Sequence, residues 1–156
     1  MNTEKIMKSS FSVIGKEGST RDGEGFIQRL WDDANGHFDQ VAHLAKRDAE
    51  GNLCGVWGLM TDFSRTFRPW EDGFTKGLYL AGVECRDDAA APCGWVKWTV
   101  PAFIYLKAEC TNTLLVDMLA YIQDQGLHLA GAVQDYTCPQ TGRNYMLFPI
   151  EKIEEA

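Results

Sequence analysis

Apolar residues recur with a helical period in two stretches of the chain. Over residues 24–46 the recurrence has spacings of three and four, formed by Phe26, Leu30, Ala34, Phe38, Val41 and Ala45. This pattern predicts a first helix, in which Gly36 could introduce a kink. A second apolar face follows a cap at Thr111 or Asn112 and ends before Gly126, so it predicts a second helix.

The remaining apolar segments are short and have the composition of strands. They are bounded by glycine, proline or polar residues and cover residues 11–15, 53–60, 78–85, 95–99, 103–109, 127–136 and 145–150. In chain order this gives strand, helix and two strands, then two strands, helix and two strands. We therefore predict an α+β fold, a pseudo-twofold repeat of strand–helix–strand–strand units that share one antiparallel sheet and carry two main helices.

Length, charge and the absence of targeting segments narrow the class of protein. A chain of 156 residues with no linker-like composition is expected to form a single domain over residues 1–156. Its net charge of -7 argues against direct contact with nucleic acid. No signal peptide and no apolar run of membrane-spanning length is found, so we expect a cytoplasmic protein without a membrane partner.

Five cysteines form an odd set without a Cys-x-x-Cys pair, which predicts free thiols in a reducing compartment. The three histidines, His37, His43 and His128, lack the spacing of a helical zinc pair, so no metal site is expected. The glycines between 15 and 25 lack the Gly-Lys-Ser/Thr of a phosphate loop, and no serine lies in a Gly-x-Ser-x-Gly elbow. The motifs therefore indicate no cofactor.

Glu84 is the informative charged residue, because it lies in the apolar segment 78–85. Burying its carboxylate is costly unless a partner compensates the charge. In a strand Glu84 shares a face with Gly82, and that glycine could leave room for a ligand beside the carboxylate. The alternative is a glutamate at a strand end that faces water or pairs with a lysine.

Aromatic residues lie in or beside most of the predicted strands, and they also have two interpretations. Such a stripe usually forms a hydrophobic core. Tryptophans and tyrosines with an acid also form cages for organic cations, because ring faces attract positive charge and a carboxylate neutralises it. Composition alone does not separate a core from a binding site.

Several short motifs, in this order and spacing, resemble the GyrI-like small-molecule-binding domains, which also serve as effector-binding domains of AraC-type and MerR-type regulators. The resemblance spans nearly the whole chain. Its carriers are Leu30-Trp31, residues 54–57, residues 79–84, Pro92 to Gly94, Val100-Pro101-Ala102 with Tyr105, residues 131–136 and Phe148-Pro149-Ile150.

The resemblance implies a central pocket in which a hydrophobic, often cationic, drug or toxin binds against an acid, so that the protein senses or sequesters it. The site residues it implies are Glu84, Trp57, Tyr79, Tyr105, Tyr136, Trp31 and Gln134. Some similar stand-alone proteins are implicated in hydrolysis of cyclopropane-containing genotoxins, so the alternative is a hydrolase with Glu84 as general base. A third class is a protein–protein module.

Two departures from the family pattern affect the expected site. Members often carry a glutamate in the penultimate strand, where this chain has Gln134 and Asp135, and a register change of one residue would exchange their faces. Phe103 replaces a glycine that often follows the Pro-Ala pair. The predicted elements leave no room for a helix-turn-helix, so a regulatory role would need a separate protein partner.

Overall fold

The protein folds as a single eight-stranded antiparallel sheet with helices, as seen in a computed structural model that describes residues 2–154. The α+β class predicted from the sequence is confirmed. The strands are β1 Glu4–Lys8, β2 Phe11–Ser19, β3 Val56–Thr61, β4 Leu78–Cys85, β5 Val96–Val100, β6 Phe103–Glu109, β7 Gln134–Thr137 and β8 Asn144–Lys152. The helices are α1 Phe26–Gly36, the one-turn α2 Glu71–Phe74 and α3 Leu114–Asp124.

The order of the strands reveals the predicted pseudo-twofold repeat. Across the sheet the order is β1-β6-β8-β7-β3-β4-β2-β5, so β7 and β3 meet at the centre and equivalent strands lie at equal distances from it. One unit is β2-α1-β3-β4 and the other is β6-α3-β7-β8. Each outer strand precedes one unit in sequence but pairs with the other: β1 pairs with β6, and β5 pairs with β2.

Strands with a clear apolar pattern are predicted best, whereas the first helix is predicted too long. β4 and β6 have the predicted bounds, 78–85 and 103–109. The helix expected over residues 24–46 ends at Gly36, and two 3-10 turns at 38–40 and 42–44 continue the chain. The apolar period continues beyond the helix because these turns also direct Phe38 and Val41 into the core.

Two predicted strands are shorter than expected, and one strand was not predicted. The strand expected over 127–136 begins at Gln134, because the backbone of Ala130 and Ala132 bonds instead to Pro149 and to the 62–70 loop at Phe67. The strand expected over 53–60 begins at Val56. β1 was missed, because its mixed sequence EKIMK is largely exposed at the edge of the sheet.

The sheet separates two sets of core residues. On the helix face, α1 packs against one cluster that includes Ile14, Ala81 and Val83, and α3 packs against another. On the far face, a third cluster contains Trp57, Leu80, Tyr105, Phe11, Val13, Trp98 and Leu147. None of the helices within residues 2–154 is long and apolar enough to cross a membrane.

Candidate functional site

A groove of about 580 Å³ lies on the helix face over the centre of the sheet. Its floor is formed by β3, β4, β7 and β8, and its walls are formed by α1 and by the segment between β6 and α3. We call this cavity the central groove. It is lined by Trp31, Asn35, Val56, Gly58, Tyr79, Cys110, Thr111, Asp135, Tyr136, Thr137, Asn144 and Met146.

Trp31 and Tyr79 form an aromatic corner of the central groove. The indole Nε1 of Trp31 donates a hydrogen bond of 3.0 Å to the Tyr79 hydroxyl oxygen, so α1 is tied to β4 at this point. The ring of Tyr79 lies over Gly58, where any Cβ atom would overlap the tyrosine hydroxyl group. Burial, with Asp135 nearby, raises the pKa of Tyr79, and the hydroxyl therefore stays protonated at neutral pH.

Asp135 is the acid of the central groove. The register pairs it with Gly58 on β3 and with Met146 on β8, which puts its side chain on the helix face. No hydrogen bond or ion pair holds its carboxylate within residues 2–154, and burial raises the pKa of Asp135 to about 6. A carboxylate that is partly desolvated and unpaired is stabilised by an organic cation that binds beside it in the groove.

The same register shows which of the two adjacent residues of β7, Gln134 or Asp135, faces the central groove. Gln134 lies on the far face, opposite Leu147, and it is almost fully buried. Its amide oxygen accepts a hydrogen bond of 2.7 Å from the Met60 backbone N–H, and its amide nitrogen donates one of 3.2 Å to the Met60 carbonyl. Gln134 therefore joins β7 to β3, and the structure does not bring it to the central groove.

Glu84 lies on the far face, in a smaller pocket of about 140 Å³. It is only 4% exposed, and its Oε1 accepts a hydrogen bond of 3.0 Å from the Trp57 indole. Lys8 Nζ is 3.5 Å from the same oxygen, so Glu84 has a counter-charge from β1. The pocket also contacts Tyr136 and Lys107. We call it the Glu84 pocket.

The expectation that Gly82 leaves room for a ligand beside Glu84 is wrong. A Cβ atom on Gly82 would overlap the Ile14 carbonyl oxygen, and one on its paired residue Gly15 would overlap the Ala81 carbonyl. The space is therefore occupied by the neighbouring strand. These two glycines allow β2 and β4 to approach each other closely.

Tyr105 lies in the far-face core and not in either cavity. Its side chain is fully buried, with its ring centroid 5.7 Å from that of Phe103. Its hydroxyl has no hydrogen-bond partner within the described part of the chain. The structure therefore gives Tyr105 the environment of a core residue.

The residues expected to form one site are thus divided by the sheet. Trp31 and Tyr79 line the central groove, whereas Glu84 and Trp57 line the Glu84 pocket. Tyr136 borders both cavities, and its ring centroid is 4.9 Å from that of Trp57. Sequence reasoning missed Asn35, Cys110, Thr111 and Met146. It named Glu84 as the acid of the site and Gln134 as the site residue of the penultimate strand, with the register of Gln134 and Asp135 left open. The structure places Asp135 in the groove instead, and only the pairing register of β7 could show this.

Comparisons with solved structures identify proteins of the same fold, whereas comparisons of the sequence find no match. No protein-family model matches the sequence, and no curated protein matches it significantly. SAV2435 bound to tetraphenylphosphonium has a similar structure, with a TM-score of 0.65, 16% identity and coverage of 97% of this chain and 94% of that one. The EcmrR C-terminal domain matches with a TM-score of 0.64, 11% identity and coverage of 97% and 98%.

EcmrR in its complex with DNA, determined by cryo-electron microscopy, matches with a TM-score of 0.65 and 10% identity. There the match covers 97% of this chain but 58% of the EcmrR chain. At these identities the similarity establishes a shared fold. The fold implied by the resemblance to GyrI-like domains is therefore confirmed.

Proposed function

We propose that the protein binds a small aromatic cation in the central groove, with Asp135 as its counter-charge and with Trp31 and Tyr79 as ring partners. The observation that carries this proposal concerns residues 2–154: among them, the carboxylate of Asp135 has no partner, and no lysine or arginine lines the groove. Attraction between a cation and an aromatic face contributes roughly 0.5 to 2 kcal/mol, and the carboxylate adds a charge interaction in a partly desolvated site.

The structural neighbours support a ligand of this class. SAV2435, which has the same fold, is seen with tetraphenylphosphonium, a permanent cation that carries four aromatic rings. A cavity of about 580 Å³ is within the usual size range of small-molecule sites. The volume and the charge of the central groove therefore agree with a bulky organic cation.

The biological role that we propose is sensing or sequestration of the bound compound. EcmrR contains a domain of this fold and is found in a DNA complex. With a net charge of -7, this domain is poorly suited to contact nucleic acid itself. A regulatory role would therefore require DNA contacts from residues outside this domain.

Hydrolysis with Glu84 as general base has weaker support from the geometry. Oε1 of Glu84 accepts a hydrogen bond from Trp57 and lies near Lys8, so the negative charge of this carboxylate already has two stabilising contacts. Asp135 has no such partners and has a pKa near 6, so it is the better placed base if the groove supports chemistry. Hydrolysis with Asp135 as base would be established if the unmodified protein turns over an electrophilic ligand, Asp135→Asn does not, and Glu84→Gln still does.

Titration calorimetry with a matched pair of ligands tests the binding proposal. Methyltriphenylphosphonium is cationic, and triphenylphosphine oxide is neutral with a similar shape. We expect Asp135→Asn to weaken binding of the cation by about 1 to 3 kcal/mol and to leave binding of the oxide nearly unchanged, as for the loss of one partner of a partly buried charge pair.

Glu84→Gln is the matched control, because it removes a carboxylate from the Glu84 pocket without touching the central groove. It should change the affinity for neither ligand. Selective loss of cation binding in Glu84→Gln would move the site to the Glu84 pocket, as the family resemblance implies. Absence of measurable binding of either ligand to the unmodified protein would overturn the proposal.

A further inference from the structure

A second cavity, of about 200 Å³, lies beneath α1 and is almost entirely apolar. We call it the side pocket. Within residues 2–154 its lining contains no charged residue, and its walls are formed by α1, by the 3-10 turns that follow it, and by β4. The lining includes Ala34, Phe38, Val41, Leu53, Val83 and Trp95.

The side pocket adjoins the central groove. Trp31, Asn35 and Val56 line both cavities, so these three residues stand at the boundary between them. Trp31 is held there by its hydrogen bond to Tyr79. A molecule bound beside Asp135 therefore lies next to the residues that border the side pocket.

The walls of the side pocket are fixed by contacts outside it. The Trp95 indole donates a hydrogen bond of 2.8 Å to the Gln40 side-chain oxygen, which joins the β4–β5 connection to the turns after α1. Val41 is fully buried, and Ala34 is nearly so. The cavity is therefore a preformed feature of the packed core.

Protein interiors are normally close-packed, and voids much larger than a water molecule are few. An apolar cavity of about 150 Å³ stays dry and accepts benzene in another protein, so the side pocket can hold an apolar group of about six carbon atoms. The side pocket is partly open to solvent, and its apolar lining gives the water inside it few polar partners. Filling it with hydrocarbon removes apolar surface from water at both the ligand and the protein.

We infer that the ligand has two parts: a cationic aromatic head that binds in the central groove and an aliphatic arm of about six carbons that binds in the side pocket. This inference rests on the proposed function, because it takes the head group from that proposal. It adds the substrate class, an amphiphilic organic cation, and it assigns Ala34 and Leu53 to the recognition of the arm.

A series of alkyltriphenylphosphonium ions with methyl, butyl, hexyl and decyl chains tests the inference by calorimetry below the concentrations at which they aggregate. We expect affinity to rise by about fourfold for each added carbon, which corresponds to about 0.8 kcal/mol per buried methylene, up to about six carbons. The decyl compound should bind little more tightly than the hexyl compound, because the pocket is then full.

Two substitutions that fill the side pocket from different elements locate the arm. Ala34→Leu reaches in from α1, and Leu53→Phe reaches in from the segment before β3. Each should abolish most of the gain with chain length and leave the affinity for the methyl compound unchanged. Thermal unfolding identifies a variant that fails to fold, and the other variant then provides the test.

The outcomes separate this inference from the proposed function. If the methyl compound binds and affinity does not rise with chain length, the two-part ligand is refuted while the cation site stands. If the rise persists in a folded Ala34→Leu or Leu53→Phe protein, the arm binds elsewhere and the inference is also refuted. If no member of the series binds, the proposed function itself fails.

Discussion

At the scale of single residues, two carboxylates with opposite surroundings dominate the electrostatics of the molecule. Glu84 is buried on the far face with Lys8 and Trp57 as partners, whereas Asp135 is the one charged residue that lines the central groove in the described part of the chain. A paired carboxylate gains little from a ligand because its charge is already compensated. An unpaired one gains more, so we assign ligand charge selection to Asp135.

The raised pKa of Asp135 predicts how cation binding depends on pH. Its usual value is 3.8, and burial raises the pKa to about 6, so the carboxylate that attracts the cation is mostly present at pH 7 and mostly protonated at pH 5. We expect affinity for methyltriphenylphosphonium to fall about tenfold between pH 7 and pH 5, since the ionised fraction falls by about that factor.

The control for this experiment is the same pair of titrations on Asp135→Asn, which should show no change of affinity between the two pH values. Triphenylphosphine oxide should bind equally well at both in the unmodified protein. An affinity for the cation that is flat from pH 7 to pH 5 would show that Asp135 does not supply the charge.

At the scale of elements, the contact between β2 and β4 depends on two facing glycines. Gly15 and Gly82 are directly paired, and a Cβ atom on either would overlap a backbone carbonyl oxygen of the facing strand. Backbone atoms cannot move aside as the end of a flexible side chain can. The close approach of these strands also positions β4, which carries Tyr79 into the central groove on one face and Glu84 into its pocket on the other.

We predict that Gly82→Ala lowers the free energy of unfolding by at least about 3 kcal/mol, because β2 and β4 must separate to admit the methyl group. Urea denaturation measures the change. The matched control is Gly36→Ala at the end of α1, where a Cβ atom would meet nothing within 4 Å. That substitution should be neutral or stabilising by up to about 1 kcal/mol, since alanine favours the helix. Equal effects of the two substitutions would contradict the overlap argument.

At the scale of the whole molecule, the exchange of outer strands joins the two repeat units. Among the described strands, β1 pairs with β6 of the second unit alone, and β5 pairs with β2 of the first unit alone. Each half of the sheet therefore ends in a strand that precedes the other unit in sequence. The central groove also draws its floor from both units, through β3 and β4 on one side and β7 and β8 on the other.

From this arrangement we predict that residues 1–156 unfold as one domain. Calorimetry should show a single transition whose van't Hoff enthalpy equals the calorimetric enthalpy. Fragments 1–90 and 91–156, separated after the exposed Ala90 in the β4–β5 connection, should each lack a cooperative transition and should regain one when mixed. Two separate transitions in the intact chain would refute this.

The local pattern of the sequence determines the elements and the fold class. The mostly apolar segments 78–85 and 103–109 allow the bounds of β4 and β6 to be predicted, because these strands are buried along most of their length. Edge strand β1 leaves no such signal, and the 3-10 turns after α1 imitate a helical period. Residue types and their order also point to aromatic residues and an acid as the chemistry of the site.

Tertiary structure alone decides which of those residues share a cavity. The side-chain period of a strand is two, so a difference of one residue exchanges the faces of Gln134 and Asp135, and only the hydrogen-bonded register with β3 settles it. The same alternation places Tyr79 and Glu84 of one strand on opposite faces of the sheet. The side pocket is not encoded in any local pattern, because a cavity is the space left between elements after they have packed.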